Sequence, residues 1–358
     1  MKSLPNLQSI IFEATQRCNH ACLHCYNVWN GETFPGSGET YPRGELDTPQ
    51  TLSLLDKTLA ETTCKHITIT GGEPLLRQDL PEILDFLQLR QISTTIISNG
   101  HLLTEAKVVN LLNLGVRVFE LPLLSYRAEI HDRLSASPGA FDAVLAAMAH
   151  IRYHGGLFIT VFVATKINLP DLHDTIHLSF AFGAQGLMLN RFNPGGRGRA
   201  YLEQLLPSAS ELRAALAEAQ AASEEFNFPI FCSIPIQPCL IDHKDFPRLG
   251  FGFCSAGTDR AYYTLDPLGN IRPCNHTPLI LGNLLLEPFS TIVSSEKLAN
   301  FTRTTPDFCQ GCSLLNACQG GCKASAQVCY GSIKSEEPFL QYAHNIIRNS
   351  VSPMPSME

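Results

Sequence analysis

Several features that would assign this 358-residue chain to a compartment or a partner class are missing from it. The opening stretch MKSLPNLQSI has no charged region followed by an apolar core and a small-residue cleavage site, which excludes a secretory signal. No run approaches the roughly 18 apolar residues of a membrane span. There is no block of five like charges, and a net charge of -7 with a pI near 5.9 gives no reason to expect nucleic acid or an anionic membrane surface. Low-complexity tracts and repeats longer than a β/α unit are absent, and tryptophan occurs once, at Trp29. The chain is long and 44% hydrophobic, so it can build its core without disulfide staples. It reads as cytoplasmic and reduced, with no membrane partner.

Against that background the thirteen cysteines stand out, because ten of them fall into two spaced arrays. The first is Cys18-x3-Cys22-x2-Cys25. The second runs from Cys254 through Gly269 and Cys274 to Cys309-x2-Cys312-x5-Cys318-x3-Cys322 and Cys329. Thiolates two or three residues apart in a turn converge on a soft metal centre, whereas a disulfide needs only two partners and an oxidising compartment.

Short β-branched or apolar runs alternate with helical periodicity from residue 8 to about 222. Strands are expected at 8–14, 66–70, 93–98, 116–122, 157–165 and 186–192, with helices near 49–61, 79–89, 104–114, 140–154, 170–183 and 208–224. Six β/α repeats imply an α/β fold whose parallel sheet curls into a partial (β/α)6 barrel. Sites in such sheets lie at the carboxyl ends of the strands. The cysteine triplet follows strand one, Gly71-Gly72-Glu73-Pro74 follow strand two, Ser98-Asn99-Gly100 follow strand three, and strand six runs into Arg191, Asn193 and a Gly-rich turn through Arg197. Prolines 229, 235, 238 and 247 break the alternation, which places a bridging segment at 226–250 between a domain of 1–225 and a Cys-rich domain of 251–335, with a tail at 336–358. The polar insertion 28–46 has the length of a lid or of a plain surface excursion.

Three thiols leave a four-iron cluster with one open iron, since a 4Fe-4S cube takes four ligands. Zinc is the competing reading, with His20 or His24 as fourth ligand. The order of C-x3-C-x2-C, GGEP and SNG after successive strands resembles the radical S-adenosylmethionine superfamily. The resemblance implies that Cys18, Cys22 and Cys25 hold a 4Fe-4S cluster whose open iron chelates S-adenosyl-L-methionine, with a flavodoxin or ferredoxin as electron donor. It places His24 at the position that packs the adenine, Gly71, Gly72, Glu73 and Pro74 against the methionine amine, and Ser98 and Asn99 on ribose and carboxylate. Arg133 and Arg191 join them as candidate cofactor contacts, and the partner after strand four is left between Glu120 and Ser125. No catalytic acid or base is identified.

The second array has a ferredoxin-like rhythm, and seven cysteines are one short of two complete cubes. It resembles the SPASM extension of the same superfamily, built of a small β-hairpin and short helices around two auxiliary 4Fe-4S clusters. The resemblance divides the ligands into Cys309, Cys312, Cys318 and Cys329 on one side and Cys254, Cys274 and Cys322 on the other. The incomplete set either keeps an open iron or is closed by Cys232 or Cys239. Cys64 reads as a core residue.

Three clusters imply an oxidoreductase performing a net two-electron oxidation. SPASM enzymes mostly modify peptides, so a peptide substrate is expected, with a cross-link or dehydrogenation as outcome. Asn275 stands where sulfatase-maturing relatives place an acid, which argues against that activity. Few residues precede strand one, so a separate leader-recognition protein or a leaderless mode would go with a peptide. The alternative is a small-molecule dehydrogenase or epimerase acting on a sugar, antibiotic or tetrapyrrole.

Overall fold

The computed structural model describes residues 5–343 except 32, 34 and 36–38. Most of the expected tail at 336–358 and the middle of the 28–46 insertion therefore lie outside the described residues.

The β/α alternation is realised as β1 (Ser9–Thr15), α1 (Thr48–Glu61), β2 (His66–Gly71), α2 (Leu80–Leu89), β3 (Ser93–Ile97), α3 (Glu105–Asn113) and β4 (Val116–Pro122). It continues through α4 (Ala128–Ser135), α5 (Ala140–Tyr153), β5 (Leu157–Ala164), α6 (Leu172–Ala181), β6 (Leu187–Arg191), α7 (Leu202–Leu205) and α8 (Ala209–Phe226). Strands β1 to β6 pair in parallel and in sequence order, which makes the fold the expected open α/β barrel. Start signals are local. Asp47 caps α1 by accepting from Gln50 N at 2.9 Å, and Ser208 caps α8 by accepting from Glu211 N at 3.2 Å. Phe12, Ile69, Phe119, Phe158, Phe162 and Leu189 fill the space between sheet and helices. Helix α4 was not expected from periodicity. It is only eight residues long, and it is locked to its successor because the Asp132 carboxylate accepts from Gly139 N at 2.6 Å and Phe141 N at 2.8 Å.

The proline-rich segment after α8 is more than a connector. It contributes β7 (Ile230–Cys232) and β8 (Leu249–Phe251), which extend the sheet in parallel beyond β6. On the opposite edge β9 (Tyr263–Leu265) pairs in parallel with β1, and β10 (Asn270–Arg272) and β11 (Gly282–Asn283) follow antiparallel. Gly269, at φ +87°, makes the turn that β9–β10 needs. Short helices complete the chain: α9 (Phe289–Val293), α10 (Glu296–Arg303), α11 (Leu315–Cys318) and α12 (Lys323–Tyr330).

Two buried ion pairs fix the Cys-rich part and the start of the segment that follows it to the barrel. Arg272 on β10 meets Glu13 on β1, and also donates to Asn275 O at 3.2 Å and Thr277 O at 2.9 Å, which holds the strand end carrying Cys274. Arg191 at the end of β6 grips Glu337. Trp29 and Tyr41 of the insertion are buried against Ile280, and Tyr41 donates to Asp266 at 2.7 Å, so the described ends of that loop are packed down.

Candidate functional site

The carboxyl end of β1 opens into the first cysteine loop, and β2 delivers its glycines against it. Gly72 N donates to Thr15 O at 2.8 Å and Glu73 N to Arg17 O at 2.8 Å. A Cβ on Gly72 would lie 2.0 Å from Arg17 O, and one on Gly71, at φ +135°, 2.3 Å from Thr15 O. Only two bare backbones can approach so closely. Asn27 Nδ2 adds a bond to Gly71 O at 2.8 Å. From the other side the turn after β6 closes in, with Gly198 N donating to Cys25 O at 2.9 Å, and α4 supports the loop through Leu23 N to Leu134 O at 2.9 Å.

Glu73 is fully buried. Its carboxylate accepts from Leu75 N at 3.1 Å, Ser98 Oγ at 3.0 Å and Asn99 N at 2.8 Å, and Asn99 Nδ2 reaches Asn19 Oδ1 at 2.8 Å. One chain of bonds thus joins the ends of β2 and β3 to the cysteine loop. Burial raises the Glu73 carboxyl to about 7 against the pull of those donors. Cys18 is exposed, Cys22 and Cys25 are half-buried, and burial together with the neighbouring thiols pushes Cys22 up. Two polar atoms at this rim are buried without a hydrogen-bond partner, His24 Nδ1 and Arg197 Nη1. Burial holds His24 down to about 4, in its neutral form. His131, which the sequence reading did not single out, accepts from Leu124 N at 3.2 Å and leaves its buried Nε2 without a partner.

The two candidate arginines sit differently from the rest. Arg133 is exposed on α4. Arg191 donates from Nε to Pro235 O at 2.7 Å, from Nη1 to Phe192 O at 3.4 Å and from Nη2 to both oxygens of Glu337, so its role in the structure is to tie chain to chain.

Cys254, Cys274 and Cys322 form an inner set around the half-buried Tyr262, whose hydroxyl is pushed up by burial and then by these thiols. Burial raises the Cys274 thiol to about 11 and Cys322 to about 12. Asn193 Nδ2 donates to Cys322 Sγ at 3.4 Å and lies 3.2 Å from His276 Nδ1. The His276 ring lies 4.2 Å from that of Tyr26, whose hydroxyl accepts from Asn275 Nδ2 at 2.8 Å. The residue after Cys25 therefore touches the residues after Cys274.

Cys309, Cys312 and Cys318 line a cavity of about 230 Å³, and the fourth thiol on its wall is Cys239. Cys329, on the helix that starts after Cys322, is not among the thiols lining that cavity; burial raises it to about 12, with Arg199 pulling the other way and Glu337 adding to the rise. Cys232 is buried in β7, and burial alone raises it to about 12, while Cys64 donates to His66 O at 3.1 Å in the core. Among the described residues no three Cys, His, Asp or Glu side chains converge as they would on a single metal ion.

Two family profiles match the chain: the Radical SAM superfamily over residues 12–179 and an iron-sulfur cluster-binding domain, SPASM, over 254–313. An AdoMet-dependent heme synthase of Oleidesulfovibrio alaskensis is 26% identical over 94% of this chain and 88% of its own length. A PqqA peptide cyclase of Granulibacter bethesdensis is 26% identical over 98% and 92%. The crystal structure of Streptococcus suis SuiB bound to precursor peptide SuiA superposes with a TM-score of 0.70 at 15% identity, covering 94% of this chain and 77% of that one, which is a likeness of fold. Among the described residues no helix is long and apolar enough to cross a membrane.

Proposed function

The chain belongs to the radical SAM superfamily and carries a SPASM domain, and as an enzyme of that family we propose that it oxidatively modifies a peptide. Three four-iron clusters are assigned, on Cys18, Cys22 and Cys25, on the inner thiols, and on the outer thiols. The residues fit such groups: the triplet supplies three thiols and an open position, the outer cavity is walled by thiols, and His24 and Arg197 offer buried polar atoms that the protein itself leaves unpaired. When bound, the first cluster supplies the electron that cleaves S-adenosylmethionine to a hydrogen-abstracting 5'-deoxyadenosyl radical, and the inner cluster supplies an acceptor for the electron the substrate then loses.

The protein's share is positioning. Gly71 to Pro74 present bare backbone beside Cys18 for the methionine amine, with Glu73 holding that backbone to Ser98 and Asn99. His24 contributes a neutral ring on the dry side of the loop. The observation that carries the oxidative reading is the junction of Tyr26 with Asn275 and His276, which puts the inner thiols beside the loop of the first triplet. The peptide reading is supported by the PqqA peptide cyclase, matched over nearly the whole chain. The equally similar heme synthase favours the second reading, an oxidation of a tetrapyrrole.

Anaerobic reconstitution is expected to load about twelve irons, three cubes of four, and dithionite with S-adenosylmethionine to release 5'-deoxyadenosine. Stoichiometric zinc, or release that persists after Cys18, Cys22 and Cys25 are replaced by Ala, would refute the assignment. Co-expression with short peptides encoded beside the gene, set against incubation with iron tetrapyrroles, decides the substrate: the species that loses two hydrogens by mass spectrometry is the one modified.

A further inference from the structure

We propose that Cys239, and not Cys329, completes the outer auxiliary cluster with Cys309, Cys312 and Cys318, so that the cluster takes one ligand from upstream of the spaced array. The inference rests on the iron–sulfur reading of the outer thiols.

Three independent features place Cys239 there. It stands on the wall of the same cavity as the three motif thiols. It is presented by a tight turn after Pro238, in which Leu240 N and Ile241 N both donate to Gln237 O, at 2.9 and 3.1 Å. That turn is anchored: Gln237 Nε2 donates to Glu337, the carboxylate that also accepts from Cys322 N at 3.0 Å. The segment ahead of the array is thus tied to the end of the Cys309–Cys322 run through one buried acid. Gly321, at φ +84°, permits this, since a Cβ there would come within 2.2 Å of Gln237 Nε2.

Cys329 is not among the residues that line that cavity. It sits in α12, seven residues past Cys322 at the N-cap position, about 10 Å along the axis at 1.5 Å per residue. Ala324, Ser325, Ala326 and Val328 are buried, so unwinding the helix to swing Cys329 back would expose them. The sequence after Cys322 therefore directs the last thiol of the array toward the barrel, and the outer cavity recruits Cys239. One consequence is that the inner set keeps three thiols, because Cys232 is in the core and Cys239 is engaged elsewhere.

The test uses the full chain with Cys18, Cys22 and Cys25 changed to Ala, so that only auxiliary centres load. That parent should bind about eight irons, two cubes of four; uptake of four or fewer sinks the two-cluster reading itself, and this assignment with it. On the same background Cys329→Ala should keep the parent's iron content and reduced-state EPR spectrum. Cys239→Ala should lose about half the iron, or show one centre converted to a three-iron form by Mössbauer spectroscopy. Full iron with unchanged spectra in Cys239→Ala overturns the proposal while leaving the clusters standing, as does iron loss confined to Cys329→Ala. A folding defect would mimic ligand loss, so the unmutated chain is also footprinted with iodoacetamide. Cys239 is exposed; it should alkylate once the iron is chelated and resist while loaded, and labelling in the fully loaded protein overturns the assignment.

Discussion

Arg191 and Glu337, 146 residues apart, form a two-pronged ion pair at 2.7 and 2.6 Å with both side chains sealed from solvent, at 0% and 1% exposure. The same carboxylate accepts from Gln237 and from the backbone of Cys322. Removing one partner from a buried pair leaves an uncompensated charge and costs about 3–5 kcal/mol. Glu337→Gln should therefore lower Tm by about 4–7 °C and release iron from the auxiliary centres. The double variant Arg191→Met with Glu337→Leu should recover part of that loss, because both charges leave together. Calorimetry and S-adenosylmethionine titration on the same samples check this: weaker cofactor binding in Arg191→Met with Tm unchanged would show that Arg191 serves the cofactor and not the fold.

The glycine pair after β2 makes a sharper demand. Gly72→Ala would put a methyl 2.0 Å from Arg17 O and 3.0 Å from Cys18 Cβ, both on the cysteine loop. The loop must then move, and the expected result is at least a tenfold loss of 5'-deoxyadenosine formation. Gly139→Ala is the comparison, since a Cβ there meets nothing within 4 Å and pays only for its positive φ, about 1–2 kcal/mol. Equal activity in the two variants would remove the close approach from the argument.

How much of this was legible beforehand follows from range. Strands β1 to β6 and their long helices could be read within a residue or two because their patterns are local and repeated. Helix α4 escaped because its end is written elsewhere, in the bonds from Asp132 to Gly139 and Phe141. Strands β7 and β9 are three residues each, too short to carry a period, and exist because β6 and β1 offer open edges. The cysteine spacing announced thiol clusters, but spacing along a chain says nothing of a ligand supplied from outside the motif. Cys239, in a segment read as a bridge, was offered by the sequence only as a possible ligand of the inner set, and the fold puts it on the same wall as Cys309.

Glu120, at the end of β4 beside Ser98, is raised to about 7 by burial. An acid with a raised folded-state value keeps a proton that the unfolded chain, at 4.5, has lost. Its cost is absent below that unfolded value, grows as pH rises through the window and is complete above about 7. Glu120→Gln should therefore come closest to the wild type in urea near pH 4, below the unfolded value, and exceed it at pH 8, by on the order of 1–2 kcal/mol. Glu13 and Glu73 are raised likewise but titrate in both proteins, so they cancel in the difference. A variant less stable than wild type at pH 8 would mean that the ionised carboxylate is compensated in the fold.

Asn193 offers a test of the inner centre that needs no substrate. Its Nδ2 donates to Cys322 Sγ at 3.4 Å. Hydrogen bonds to cluster sulfurs are among the factors that set reduction potential. A donor dipole stabilises the more negative, reduced state and so raises the potential. Asn193→Ala should consequently lower the midpoint potential of one auxiliary centre, leave the Cys18–Cys25 centre where it was, and keep the full iron content. An EPR-monitored redox titration reads all three centres at once. A shift in the opposite direction, or one confined to the N-terminal centre, would break the assignment of Cys322 to a cluster beside Asn193, since the bond is made to that sulfur and its effect decays with distance.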